Sequence, residues 1–475
     1  MLKVNSSCNA TVPRYLITTA DERTWKFDRP VLFLGEWCLR YDRQHLVSTM
    51  DAVVAEPYGL AEGQKSRCND YVERVAAELL IELGCILNRH HGTTHNIRYW
   101  RILLGHWLKR YTAIIFNRFF TLEQTIKQYK VTGVSFFKET SFSLATPNSL
   151  AFIWACGDDV WNNILYAKIF DCVSSGGFQP EWLDLGGNNG FRMDESDSSL
   201  SLGIRIKQFV LKGIGCILPL LSRKRDAFII NSYLPLKEEV KLQLSLGQVP
   251  QIWRSPKYVS VESDGYLRES LSLNITGYHG FDRCVRTLLF DLLPTCYLEG
   301  YPTLQYQIQQ LPWPEKPKFI FTSNSFDTDE VFKAWAGLQV ARGVPYYIGQ
   351  HGANYGTYRF SSGDLGRSET ECVEISDKFL TWGWTDGNPK HVPAFVFTRS
   401  GQKNQNTKIR GGLLLIELQS PLKLECWDEY PEFQIYQDEQ FRFVESLPTL
   451  IQQNLTVRLY GSYKKLSWCE EQRWR

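Results

Sequence analysis

A chain of 475 residues that is 43% apolar has material for two or three domains and a large core, which excludes wholesale disorder. Its 53 basic residues nearly balance 51 acidic ones, and a net charge of +2 gives no electrostatic footing for nucleic-acid binding. The 12 cysteines include no CxxC and the 8 histidines show no metal-ligand spacing, so reduced thiols and no metal site are expected.

Met1–Arg14 lacks the apolar core of a signal peptide. The longest later apolar run, Phe209 to Leu221, is interrupted by Lys212 and is shorter than the ~20 residues of a spanning helix. These features predict a cytoplasmic protein without a transmembrane segment, in which the sequons at Asn5, Asn9, Asn274 and Asn454 are chance matches. A helix over Tyr99–Arg110 mixes aromatic and basic side chains; it reads as a core helix with snorkelling ends, with contact at a membrane surface as the alternative.

In chain order, Tyr15–Thr19 and Pro30–Gly35 read as the first two strands. Residues 70–130 carry helical periodicity, with Val72, Val75, Ala76, Leu79, Leu80 and Leu83 on one face and a second block from Arg98 to Phe120. Ser149–Phe170 is helical again, with Asp158 and Asp159 at a helix start. Ser174–Ser201 reads as a loop; Gly186–Gly190 within it is no phosphate loop, because no Gly-Lys-Ser/Thr follows. A helix near Ile204–Leu221 precedes a buried strand in Asp226–Asn231, and Phe319–Asn324 is another strand. Thr328–Arg342 is a helix, Gly343 its C-cap and Pro345–Ile348 the next strand. Strand, helix and strand in that order form a βαβ unit and imply a parallel sheet. Phe379–Gly383 continues it, and 385–410 reads as a linker or exposed crossover. Gly412–Ile416 (strand), Glu439–Ile451 (helix) and Leu455–Leu459 (strand) open a further unit. The fold class is α/β with parallel sheets. Its predicted divisions are 1–395, an α/β domain with helical insertions; 396–410, a linker; and 411–475, part of a Rossmann-like domain.

Polar residues gather where the predicted strands end, which is where open parallel sheets bind ligands. The densest cluster is Tyr346–Gly356, whose glycines, Gly352 among them, let backbone approach a ligand. Gln350, His351, Asn354 and Tyr355 offer donors, acceptors and one group that titrates near neutrality. A tight turn with a structurally bonded histidine is the ordinary alternative. A second cluster is Asp21, Glu22, Arg23 and Trp25 with Glu36 and Trp37; a third is Thr322–Asp327, with Asn324 and Asp327. Displacement at a sugar needs a base for the acceptor hydroxyl and positive charge or amides for a phosphate leaving group. Placement after strands assigns Asp21 as base and His351 as a catalytic, phosphate-facing group. Arg23, Trp25, Glu36, Trp37, Asn324, Asp327, Gln350, Gly352, Asn354 and Tyr355 are the substrate-binding candidates. The competing structural roles are an N-cap for Asp327, a turn anchor for Asp21 and core packing for Trp25 and Trp37. No Ser-His-Asp elbow, HExxH, P-loop or GxGxxG occurs, so hydrolase, metalloprotease, kinase and dinucleotide readings lose their usual support.

Thr18–Trp25, Val31–Cys38, Arg98–Leu103, Thr322–Phe326, Gly349–Gly356 and Ser376–Trp384 together resemble a bacterial transferase family found with O-antigen and other surface-polysaccharide genes. The resemblance runs from Tyr15 onward. It implies a GT-B glycosyltransferase-like architecture, with two Rossmann-like domains facing across a cleft, acceptor side first and donor side second. It also implies a nucleotide sugar as co-substrate rather than cofactor, and a glycan or lipid-linked oligosaccharide acceptor handled in the cytoplasm beside the inner membrane. Family members continue beyond the position of Arg475, so the second domain is expected to be incomplete in this chain. The rival from another class is a non-catalytic paralogue that binds a glycan or a partner protein.

Overall fold

The computed structural model describes residues 11–40, 43–139, 144–173, 177–185, 222–352, 355, 369–402, 412–418, 424, 426–459 and 470–474. Asn354, Gly186–Gly190 and the apolar run Phe209–Leu221 lie outside them.

Short, almost continuously apolar strands suit parallel sheets covered on both faces. β1 (Arg14–Ile17), β2 (Val31–Phe33), β3 (Ala52–Val54), β4 (Val131–Phe137) and β5 (Glu181–Leu183) form one sheet in the order β3-β2-β1-β4-β5. β6 (Phe228–Ile230), β7 (Ile320–Thr322), β8 (Tyr346–Gly349), β9 (Lys378–Thr381) and β10 (His391–Pro393) form a second, in the order β10-β9-β8-β7-β6. Every pairing in both sheets is parallel. The first sheet has the Rossmann strand order, with its switch point between β1 and β4. The second runs monotonically from one edge to the other. Both lie within residues 14–393, and a third parallel pair follows, β11 (Leu413–Ile416) with β12 (Leu455–Arg458). The α/β class with Rossmann-like parallel sheets is therefore as the sequence predicts.

Some elements are not where sequence periodicity puts them. β3 and β5 are three residues each, too short to show a period, and β5 falls in the segment read as a loop. β4, a central strand of seven residues, follows a helix almost directly and contains Gly133. A Cβ at Gly133 would lie 2.7 Å from the Tyr15 ring, so the glycine serves strand packing. β10 falls in the stretch read as a linker, where Phe397 also folds back onto Ile229 and Phe321 to cover the second sheet's outer face.

The element that joins the two sheets is the helix Ile97–Gln128. Asn96 caps it by accepting from the Tyr99 N–H at 3.0 Å. It is buried nearly all round, with 23 of its 32 residues buried, Lys109, Arg110 and Arg118 among them, as a helix enclosed by neighbouring elements must be. It packs on Gln64–His91, Asp159–Val173 and Gly280–Thr287, and on Glu330–Ala341 beneath the second sheet. Gly84 and Gly337 permit two of these approaches; a Cβ there would lie 3.0 Å from Trp100 and 2.9 Å from Tyr99. The aromatic-basic stretch Tyr99–Arg110 is thus core, as its first reading had it. No described helix is long and apolar enough to cross a membrane.

Arg110 on this helix meets Asp327 at 2.7 Å, with both side chains almost fully buried. Asp327 is therefore not the N-cap of the helix Glu330–Ala341. That role belongs to Asp329, which accepts from the Phe332 N–H at 3.0 Å and from the Ser255 hydroxyl at 2.6 Å. Next to the pair, Lys333 meets Glu330 at 2.9 Å and donates to Tyr297 Oη at 2.8 Å. Glu330 accepts from the Ser149 backbone N–H at 2.9 Å, fastening the helix Ser149–Ala155 to the amino end of Glu330–Ala341.

Asp327→Ala removes the carboxylate that meets the buried Arg110 charge and is expected to destabilise the fold by roughly 3–5 kcal/mol, read as a lower urea midpoint. Asp329 gives a pH signature. Burial raises its carboxyl to about 6 from an ordinary 3.8, so the protonated form favours the folded state. That contribution is present below the ordinary value and is lost as pH rises to about 6. Asp329→Asn keeps the cap but not the titration. Its melting temperature should match the parent's at pH ~4 and exceed it above pH ~6.

Candidate functional site

The carboxyl edge of the second sheet carries the candidate site. β6 runs out into Asn231-Ser232-Tyr233, where Asn231 has φ 48° and Tyr233 φ 61°. Left-handed backbone is tolerable for Asn and costly for Tyr, so surrounding bonds must impose it. The Ser323 N–H donates to Asn231 O at 3.0 Å, and its hydroxyl donates to Ser232 O at 3.1 Å. Asn231 Nδ2 donates to Ser325 Oγ at 2.7 Å, and the Ser232 hydroxyl bonds the Glu239 carboxylate. The outcome is that Tyr233, 39% exposed, lies roughly parallel to His351 across the strand ends, with ring centroids 5.9 Å apart.

His351 sits at the end of β8 among three rings: Tyr233, Phe326 at 5.9 Å and Tyr355 at 5.4 Å. Its Nδ1 is 3.2 Å from Tyr355 Oη. Tyr355 Oη is 3.8 Å from Cys372 Sγ, which is 3.7 Å from His106 Nε2 on the central helix. A line of polar atoms thus descends from the strand ends into the core. Burial pulls His106 down to about 3, so its imidazole is neutral at physiological pH.

Gln350 is a fastener. Its Oε1 accepts from the Trp382 N–H and from Trp384 Nε1, both at 2.8 Å, and its Nε2 donates to Gly352 O at 2.7 Å. Those bonds lock the loop after β8 to the loop after β9, and the side chain is buried. Gly349 is required by packing, since a Cβ would lie 2.5 Å from Phe397. At Gly352 a Cβ meets no atom of the described residues within 4 Å. Asn324 is partly exposed beside Ser325, and its N–H donates to Thr322 Oγ1 at 3.3 Å.

The first sheet's edge is built differently. Asp21 caps the short turn Glu22–Thr24 and holds Arg23 through both carboxylate oxygens, at 3.0 and 2.6 Å. Arg23 lies over the Phe137 ring at 4.6 Å and donates to Leu185 O at 3.3 Å. Glu22 pairs with Arg43, and Arg40 with Asp159. Trp25 and Trp37 are buried, with indole N–H groups donating to Thr19 O at 3.1 Å and Thr18 O at 3.0 Å. They brace the chain after β1. Glu36 follows β2, and burial raises its carboxyl above the usual range. Nearby Asp428, which its sequence position did not suggest, is raised to about 7 mainly by burial, with Glu36 adding repulsion.

The structure thus brings His351, Gly352, Tyr355 and Asn324 to one edge, and Asp21, Arg23 and Glu36 to the other sheet's edge. Asp327 lies beneath the former in its ion pair, and Asn354 lies outside the described residues. Sequence reading missed Asn231, Ser232 and Tyr233. Their signal was available: a polar triplet after the apolar run Phe228–Ile230. Among the described residues no cluster of His, Cys, Asp and Glu could hold a metal ion.

Removing the Gln350 amide strands the Trp382 and Trp384 N–H groups. Gln350→Ala leaves two part-buried N–H groups unpaired and is expected to cost roughly 1–3 kcal/mol in all, seen as a lower melting temperature with a red-shifted tryptophan emission.

No curated protein and no solved structure matches this chain. The family model described as LIC12162 family transferase matches residues 14–475, which takes in both sheets and both strand-end clusters. The chain belongs to the LIC12162 family of transferases.

Proposed function

We propose that this protein is a glycosyltransferase that moves a sugar from a nucleotide-sugar donor to a glycan or lipid-linked acceptor in O-antigen or other surface-polysaccharide assembly. The observation that carries the reading is the second sheet's edge, where Tyr233 and His351 face each other at the strand ends of a chain that belongs to a transferase family. Parallel Rossmann-like sheets are the kind of unit from which a GT-B arrangement is built.

In the proposed reaction the bond between the sugar's anomeric carbon and the donor diphosphate breaks as the acceptor oxygen bonds that carbon. The nucleotide diphosphate leaves with the electron pair, and the acceptor's proton passes to a base. His351, with a ring nitrogen bonded to Tyr355, is the group proposed to face the leaving phosphate. Exposed Tyr233 offers a face for a base or sugar ring. Asp21 is the proposed base, held in position by two bonds from Arg23. Glu36, its carboxyl raised by burial, is a second carboxylate at the same edge. Arg23 retains a half-exposed side chain for phosphate.

Thermal-shift screening against CMP-, UDP-, GDP- and CDP-linked sugars tests donor binding; a donor at 100 times its Kd stabilises by about 2.7 kcal/mol. No shift with any of them would sink the transfer reading. With the responding donor, His351→Ala should lower turnover by about 10²-fold or more at an unchanged melting temperature. Unaltered turnover removes His351 from the chemistry.

A further inference from the structure

Away from both strand-end clusters, a cleft of about 490 Å³ opens between the end of the helix Gln64–His91 and the helix Tyr301–Gln309. Its size falls within the range of small-ligand pockets, about 300–1,000 Å³. One wall is a single helix face: Pro302, Gln305, Tyr306 and Gln309 stand at i, i+3, i+4 and i+7. The other wall is His90, His91 and Thr93. Among the described residues the lining contains no Lys, Arg, Asp or Glu, although these make up 22% of the chain.

The walls are held in place from behind. The His91 ring stacks on Tyr301 with centroids 4.2 Å apart and an angle of 24°, and its Nε2 is 3.0 Å from Tyr297 O. Tyr301 Oη is 2.9 Å from Tyr99 Oη on the central helix, and Gln305 Nε2 donates to that same Tyr99 oxygen at 3.0 Å. Burial pulls His91 down to about 4, so its imidazole is neutral at physiological pH. Tyr306 takes no part in this anchoring and is 64% exposed. A helix face of amides with one unburied aromatic ring, set opposite imidazoles and a hydroxyl, does little for the core. It does match a ligand that is flat and apolar on one side and edged with hydroxyl groups.

We propose that this cleft is a binding site for an uncharged oligosaccharide, with Tyr306 as the stacking platform and Gln305, Gln309 and Thr93 as hydrogen-bonding groups. An anionic ligand such as a nucleotide finds no Lys or Arg among the described lining residues. The site is separate from the strand-end cluster, and the inference does not depend on glycosyl transfer there.

Saturation-transfer NMR on the full chain tests it, with maltohexaose, cellohexaose, mannohexaose and hexa-N-acetylchitohexaose as neutral probes and hexagalacturonate as the anionic comparison. At least one neutral probe should receive saturation and hexagalacturonate should not. Tyr306→Ala should weaken that binding about tenfold, the scale of one lost aromatic contact. Tyr306→Phe should retain it. Added UDP, CMP or GDP should leave the signal in place. The proposal is overturned if no neutral probe binds, if hexagalacturonate binds as well, if Tyr306→Ala binds as tightly as the parent, or if a nucleotide displaces the sugar. Tyr306 is exposed, so the variant's melting temperature should match the parent's. If it does not, Gln309→Ala replaces it, and unchanged binding in that variant counts against the proposal.

Discussion

The buried pair of Arg110 and Asp327 is the constraint on which the rest of the arrangement depends. A charge taken out of water costs several kcal/mol unless it is met by an opposite charge and hydrogen bonds. Arg110 comes from the helix that packs against elements of both sheets, and Asp327 from the turn after β7. Each charge is tolerable only when the other is in place, so the pair fixes the height of the second sheet's edge relative to the central helix. Lys333, Glu330, Tyr297 and Ser149 extend the same logic to the helix Ser149–Ala155.

That fixed frame explains why the two strand-end clusters differ. Around β1 and β2 the charged groups satisfy one another: Asp21 with Arg23, Glu22 with Arg43, Arg40 with Asp159. Around β6, β7 and β8 the groups are small hydroxyls, amides, an imidazole and an exposed phenol, and the strain at Asn231 and Tyr233 presents them. Backbone strain of this kind persists only where neighbouring bonds over-determine it, and it concentrates at sites that bind or react. The line from His351 through Tyr355 and Cys372 to His106 couples this surface to the core helix. His106 stays neutral because no water reaches it to stabilise its charge.

Much of this was legible in the residues. The βαβ pattern from Phe319 to Ile348 gave the parallel sheet, and β8 with its polar end stood where the apolar run stopped. Trp25 and Trp37 stand among the substrate-binding candidates in sequence, with core packing as the competing role, and the structure buries both. The roles of Asp327 and Gln350 were not legible. Asp327 and Asp329 look interchangeable as caps in sequence, yet one pairs with a residue 217 positions away and the other caps the helix. Gln350 stands in a glycine-rich loop like a ligand group, but Trp382 and Trp384 consume its acceptor.

Periodicity and composition acted through local physics, since apolar runs, cap residues and strand-terminating glycines bias the chain wherever it lies. They determined the α/β class, the buried central helix and the positions of the polar strand ends. Strand order, the pairing of buried charges and the left-handed turn at Tyr233 depend on contacts between residues far apart in the chain. Only the tertiary structure decided these, because desolvation and packing are set by neighbours that one-dimensional pattern does not specify. It also set Tyr306 on an uncharged cleft wall, a placement that no run of sequence around Tyr301–Gln309 reveals by itself.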